Sequence, residues 1–160
     1  MRLGVISDTH GYLHPEVLDV FAAVDLVLHA GDIGPIEIVR DLETLAPVLA
    51  VHGNTDTWDV RRWCKRTVEV ELDGFMLVLT HGDQLGKPTP GGLHAMFPAG
   101  EIIVFGHTHE PCLELVDKTV TVMNPGSAGA PRLGVPPSVG IMELEPGIPP
   151  RARIVSLGRG

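Results

Sequence analysis

The sequence predicts a mixed α/β sandwich, two packed β-sheets with helices outside and strand ends meeting at one rim. Three observations lead there. The first third alternates strand-sized apolar runs with amphipathic helical spacing. After Trp63 the pattern changes to period-two alternation with hairpin turns. Five apolar runs stop in short turns bearing Asp, Asn or His: Ile6-Ser-Asp8-Thr-His10, Leu28-His-Ala-Gly-Asp32, Val51-His-Gly-Asn54, Leu79-Thr-His81-Gly and Val104-Phe-Gly-His107-Thr-His109.

Taken in order, Arg2 to Ser7 is a short apolar strand with Asp8-Thr-His10-Gly as its terminal loop. Pro15 suits a first helical turn, and Val17, Leu18, Phe21 and Ala22 fall on one face expected to be buried. Asp25 to Asp32 is a second strand, whose Gly31 permits a sharp turn and leaves Asp32 where open α/β sheets place ligands. Ile36, Val39 and Leu42 to Leu45 mark a second helix with Glu37, Arg40, Asp41 and Glu43 outward. Pro47 to Val51 is a third strand, so the first three run parallel through right-handed crossovers.

Thr67 to Leu72 alternates, Asp73-Gly74 is a hairpin signal, and Phe75 to Leu79 returns antiparallel. Thr89 to Phe97 is at best a short, glycine-weakened helix and reads as a mobile lid or interface. Glu101 to Phe105 is another buried strand. Cys112 to Asp117 and Thr119 to Met123 pair through Lys118. Ser138 to Leu144 and Ala152 to Leu157 close the chain, separated by the turn Pro146-Gly-Ile-Pro-Pro150. No internal repeat or linker interrupts residues 1–160, which read as a single domain.

Composition narrows the function. With 44% hydrophobic and 4% aromatic residues, aliphatic side chains must fill the core. The longest apolar runs are strand-sized, so no membrane span is expected, and the N-terminal run ends too early for a signal peptide. A cytoplasmic location is the default. Cys64 and Cys112 lack a CxxC pattern and read as buried thiols. A net charge of −8 argues against a duplex-binding surface and against stable nucleic-acid binding. It leaves room for an anionic substrate, because bound cations reverse the local field.

The polar turns carry the chemistry. Asp8 and His10 are two apart, as are His107 and His109, and in an extended turn each such pair faces one way and can grip one cation. Asp32, Asn54 and His81 complete seven oxygen and nitrogen ligands from five loops. That is too many for one cation and fits two sharing Asp32, whose two oxygens can bridge them. Imidazole, carboxylate and amide without thiolate favour Mn²⁺, with Fe, Zn²⁺ or Ni²⁺ as alternatives, over Ca²⁺. Two dications about 3.5–4 Å apart hold a bridging hydroxide and clamp an in-line phosphoryl displacement.

At Asp8-Thr-His10, Gly31-Asp32, Gly53-Asn54-Thr55-Asp56, Thr80-His81-Gly82 and Gly106-His107-Thr-His109 the chain resembles the calcineurin-like metallophosphoesterases. Its small size and Asn124-Pro-Gly-Ser127 resemble the compact bacterial and archaeal phosphodiesterase branch. The resemblance implies a four-layer αββα sandwich, commonly oligomeric, with a dinuclear site. It implies Asp8, His10, Asp32 and His109 as ligands of one metal, and Asp32, Asn54, His81 and His107 of the other. Asp56 matches an orienting acidic residue. Many members carry a histidine after the loop asparagine to protonate the leaving oxygen. Here that place is Thr55, which donates a hydrogen bond but no proton at neutral pH. A small phosphodiester with an easily expelled leaving group is therefore the expected substrate.

Other residues have plainer readings. His14 reads as a solvent-exposed neighbour of a helix start, His29 as a satisfied core histidine, and His52 as structural or leaning toward substrate. His94 belongs to the lid, Arg132 reads as a solvated charge, and Gly126-Ser127 as a tight turn or a phosphate-facing one. The competing functions are a non-catalytic binding module, as in a eukaryotic retromer subunit of this fold, a phosphomonoesterase, and a nuclease. The last is weakened by the charge and by a lack of clustered aromatics beside basic residues.

Overall fold

A computed structural model describes residues 1–129 and 134–158. Two five-stranded mixed sheets pack face to face. In the first, β1 (Arg2–Ile6), β2 (Leu26–His29) and β3 (Val48–Ala50) run parallel, as expected, in the order β10-β9-β1-β2-β3. Here β9 is Ser138–Glu145 and β10 is Ile148–Ser156, both antiparallel additions. The second sheet has the order β4-β5-β6-β8-β7, with β4 (Thr67–Leu72), β5 (Phe75–Thr80), β6 (Ile102–Val104), β7 (Cys112–Val116) and β8 (Val120–Asn124). Strands β5, β6 and β8 are parallel, while β4 and β7 are antiparallel edges.

Strand alternation produces three apolar layers. Leu3, Val5, Leu28, Leu77, Leu79, Ile102 and Val104 meet between the sheets. Ile6 and Val27 face the other way, onto helices α1 (Glu16–Val20) and α2 (Glu37–Glu43) through Val17, Phe21, Val39 and Leu42. Val78, Ile103 and Val122 face α4 (Pro90–Met96) through Leu93. Four secondary-structure layers around three apolar ones make the αββα sandwich. The hairpin at Asp73-Gly74 forms as expected, with both residues at positive φ, 47° and 83°.

Several expectations need correction. Leu18 is 43% exposed and Ala22 is also outward, so the buried face of α1 is Val17 and Phe21 alone. A helix absent from the sequence reading, α3 (Trp58–Trp63), follows the asparagine loop. It buries only Val60, so it has no apolar stripe to reveal it. Strand β10 begins at Ile148 and takes in Pro149 and Pro150. Its outer side is a sheet edge, where missing N–H groups are tolerated, and the register shifts between Ile148 and Arg151. In the α4 segment Leu93 is fully buried against the second sheet and His94 lies 3.5 Å from Asp117. His14 is buried, not exposed, and its Nδ1 accepts the Glu16 N–H at 3.3 Å. Cys64 and Cys112 are free but only half-buried, with thiols pushed up to about 12 and about 11 mainly by burial. Arg132 lies outside the described residues.

Phe21 is the key outer-layer side chain. It is fully buried, and its ring sits where a Cβ on Gly4 would come within 3.0 Å. Phe21→Ala is expected to cost about 3–5 kcal/mol of stability, read as a lowered urea midpoint at unchanged m-value.

Candidate metal centre

Six parallel strands, β1, β2, β3, β5, β6 and β8, end at the same rim. The first five deliver the turns bearing Asp8/His10, Asp32, Asn54, His81 and His107/His109. The backbone at five of these residues is left-handed: φ is 54° at Asp8, 47° at His10, 52° at Asp32, 69° at His107 and 60° at His109. The extended turn expected for the i, i+2 pairs is therefore replaced by two αL residues flanking a threonine. Asp and His are among the side chains that reach this region most readily, although each residue there costs about 1–2 kcal/mol.

The side chains converge in two clusters. Asp8, His10 and His109 each offer a ligand atom within 4.8 Å of the others, and so do Asp8, Asp32 and His81. His109 Nε2 is 3.1 Å from Asp8 Oδ1 and 3.3 Å from His10 Nε2. Asp32 Oδ2 faces His81 Nε2 at 3.4 Å and His10 Nε2 at 3.8 Å. His107 does not join His109. It lies with His81, ring centroids 5.1 Å apart, and its Nδ1 meets Asn54 Oδ1 at 3.1 Å. The His107/His109 pair thus divides between the two ends of the centre rather than gripping one cation. Asp8 takes part in both clusters.

Electron-rich atoms face one another here. The His81 Nδ1–H donates to the Ala30 carbonyl at 2.8 Å, which leaves Nε2 as a lone pair aimed at the Asp32 carboxylate. The His107 Nε2–H donates to the Gly86 carbonyl at 2.9 Å, leaving Nδ1 as a lone pair against Asn54 Oδ1. Asp8 Oδ1 and His81 Nε2 are both buried without a hydrogen-bond partner. Separations of 3.1–3.8 Å between such atoms suit neighbouring ligands on cations with bonds of about 2.0–2.2 Å. The residues therefore fit divalent ions.

Asp32 turns one oxygen, not two, toward the histidines. Its Oδ1 accepts the Thr55 N–H at 2.9 Å, and Oδ2 alone faces both His10 and His81. Burial works against its ionisation, but the neighbouring His81 and the Thr55 amide hold the carboxyl well below the usual range. Burial likewise disfavours a charged His81. Asp32 and Asp8 outweigh this and raise it.

The remaining candidates act on the backbone. Asp56 is buried, and its carboxylate accepts N–H groups from Ile33 at 2.8 Å, Gly34 at 3.0 Å and Gly53 at 2.7 Å. It ties the Asp32 loop to the Asn54 loop and is a positioning residue. Thr55 is exposed and holds Asp32 through its amide. His29 is a satisfied core histidine, as expected. Its Nδ1 accepts the Gly31 N–H at 3.2 Å, its Nε2–H meets Thr9 Oγ1 at 3.0 Å, and that hydroxyl donates to the Ile33 carbonyl at 2.8 Å. The His52 ring meets its neighbour's carbonyl, at 3.3 Å.

Some positioning residues escaped the sequence reading. Asn124 Nδ2 donates to the Gly106 carbonyl at 2.9 Å and to Thr108 Oγ1 at 3.0 Å, and its Oδ1 accepts the Gly126 N–H at 2.9 Å. Ser127 Oγ donates to the Asp8 carbonyl at 2.8 Å. The Asn124-Pro-Gly-Ser127 turn is thus a structural brace for the Asp8 and His107/His109 loops. Ser7 Oγ donates to Asp8 Oδ2 at 2.7 Å, and the His107 N–H reaches the same oxygen at 3.1 Å. A buried Asn at the end of the sixth parallel strand was the available signal.

Comparison with known proteins agrees with this geometry. Residues 1–147 match the model of the calcineurin-like phosphoesterase superfamily domain. A probable metallophosphoesterase of Methanothermobacter thermautotrophicus is 35% identical over 153 residues, covering 91% of this chain and 87% of the relative. A phosphodiesterase of Methanocaldococcus jannaschii is 30% identical over 165 residues, covering 91% and 94%. Wild-type Vps29 of Entamoeba histolytica, crystallised with Zn²⁺, shares the fold at a TM-score of 0.77 and 24% identity, covering 98% and 99%.

Two expectations follow. A methyl on Gly53 would overlap Asp32 Oδ1, whereas one on Gly91 meets nothing within 4 Å. Gly53→Ala should weaken Mn²⁺ binding by about 10-fold or more in calorimetry with the far-UV spectrum retained, and Gly91→Ala should not. The second concerns pH. Burial, the largest influence on His29, lowers its pKa to about 3, so below about 6.5 only the unfolded chain takes up this proton. Its contribution is complete above pH 6.5 and is lost as pH falls toward 3, on the order of 4 kcal/mol. Urea titrations of the metal-free protein should show this limb, and His29→Gln should flatten it.

Proposed function

The chain belongs to the calcineurin-like phosphoesterase superfamily, and from that premise we propose that it is a phosphodiesterase using two divalent cations. The observation that carries this is the buried Asp32 carboxylate, one oxygen pinned by Thr55 and the other facing His10 and His81 together. On this reading Asp8, His10, Asp32 and His109 hold one cation, and Asp32, Asn54, His81 and His107 the other. Donor chemistry favours Mn²⁺: the clusters offer carboxylate, imidazole and amide, and Cys64 and Cys112 lie outside them. When bound, the two cations supply charge neutralisation for phosphoryl oxygens and lower the pKa of an attacking water.

The chain's own residues set the selectivity. Asp8 and Asp32 are buried carboxylates that orient the histidines and exclude bulk water. Thr55, exposed beside the centre, has its amide committed to Asp32 and a hydroxyl that cannot give up a proton at neutral pH. A leaving oxygen that needs little protonation is therefore preferred, which supports aryl diesters over alkyl monoesters. The name of the M. jannaschii relative supports the same class. A non-catalytic role is the second reading, from the Vps29 likeness in fold alone. The complete donor set speaks against it.

Manganese-loaded protein should hydrolyse aryl phosphodiesters faster than alkyl phosphomonoesters. Asn54→Ala and His81→Ala should each lower kcat/KM by about 10- to 100-fold or more while the chain stays folded. Thr55→His should raise turnover of alkyl leaving groups, up to about 10²-fold, and aryl ones much less. Manganese binding without turnover of any phosphoester would overturn the enzyme reading in favour of the second.

A further inference from the structure

Both tryptophans and the only tyrosine of this aromatic-poor chain are exposed: Trp58 by 66%, Trp63 by 46% and Tyr12 by 43%. Among the described residues, neither indole belongs to any of the three apolar layers. Packing therefore does not account for Trp58. It lies four residues beyond Asn54, so the two Cα atoms are at most about 14 Å apart. Its helix is the lobe of a closed loop. Val51 and Lys65 form a parallel bridge, and the His52 N–H donates to the Lys65 carbonyl at 3.0 Å. Arg61 reaches back from α3, its Nη2 donating to the Asn54 carbonyl at 2.8 Å.

Charge gathers on the same lobe. Arg61, Arg62, Lys65 and Arg66 are four of the chain's 12 lysines and arginines, in a protein of net charge −8. Arg66 is paired with Asp83 at 2.7 Å. The Arg62 guanidinium lies 4.4 Å from the Trp58 ring centroid and covers one face of the indole. An exposure of 66% leaves the other face open to solvent. The sequence argument that aromatics do not cluster beside basic residues fails at this helix.

We infer that Trp58, backed by Arg62, is a stacking platform for the base of a nucleotidyl phosphodiester whose scissile phosphate sits at the metal centre. The inference rests on the phosphodiesterase reading and names its substrate class. A base on the open face gains stacking and, through the guanidinium behind the ring, a cation–π contribution. Arg61 keeps further N–H donors for polar groups of the same ligand. The acidic remainder of the surface repels long polyanions, so a short nucleotidyl diester is favoured over a duplex.

In Trp63→Phe protein, Trp58 is the sole indole. Metal-free Trp63→Phe protein titrated with adenylyl-adenosine should show saturable quenching of its emission, which ribose phosphate does not produce. In the manganese-loaded enzyme, Trp58→Ala should raise KM for the 4-nitrophenyl ester of adenosine monophosphate by between about 5- and 150-fold with kcat nearly unchanged, and Trp58→Phe should restore most of it. The inhibition constant of inorganic phosphate should not move. Equal quenching by ribose phosphate, or an equal loss of phosphate inhibition, would overturn the platform. So would sedimentation showing a dimer that Trp58→Ala dissociates, because a second copy would then cover the indole. Diester turnover without quenching refutes the platform alone. Quenching without turnover of any diester refutes the phosphodiesterase reading alone.

Discussion

Everything at the rim depends on holding five polar side chains on left-handed backbone. At about 1–2 kcal/mol each, Asp8, His10, Asp32, His107 and His109 together cost an amount comparable with the whole stability of a typical domain. No single contact offsets that. The loops are instead joined by buried hydrogen bonds, each worth about 1 kcal/mol when made and more when broken. The β1–β2 ladder runs on past the strands: Asp8 N–H to Gly31, His10 N–H to Asp32 and Gly11 N–H to Ile33. Asp56 adds three backbone amides, and His29 with Thr9 a second tie. The strained turns are thus fixed from neighbouring loops rather than from within.

The two-sheet architecture explains why so many loops can meet. Parallel strands send all their carboxyl ends to one side, and packing two such sheets sets six of those ends face to face. Close approach then restricts the turns to glycine. A Cβ on Gly106 would run into Ser7 Oγ, and one on Gly31 would come 2.8 Å from His81 Nδ1. Small residues at these points let His10 and His81, from opposite sheets, face a single carboxylate oxygen of Asp32.

What could be read in the sequence was what depends on period and order. The parallel β1–β3 unit, the Asp73-Gly74 hairpin and the rim loops follow from apolar alternation and turn residues. The clustering of Asp8, His10, Asp32, His81 and His109 follows from where those strands stop. What could not be read depends on energies between distant segments. Helix α3 buries one residue and so leaves no stripe. Asn124 and Ser127 look like ordinary loop polar residues until their partners, more than 10 residues away, are in view. The division of His107 from His109 arises because two αL residues in one turn point their rings to opposite ends of the centre.

The same geometry bears on what the protein gains from a cation. Asp8 Oδ1 and His81 Nε2 present lone pairs in a buried space, and the Asn54–His107 pair does so at its exposed side. Without a positive charge between them, neutral His81 Nε2 and Asp32 Oδ2 repel at 3.4 Å, and burial denies them the water that would otherwise relieve it. Protonating His81 relieves part of this, which is the sense of its raised pKa, but one proton cannot serve both clusters. On the proposed reading, cations that bind the folded chain alone also stabilise it, by an amount that grows with the logarithm of their concentration over Kd. The strain that shapes the centre and the affinity of the centre for metal are then two measures of one constraint: donors held in place before the ion arrives need no further ordering when it does.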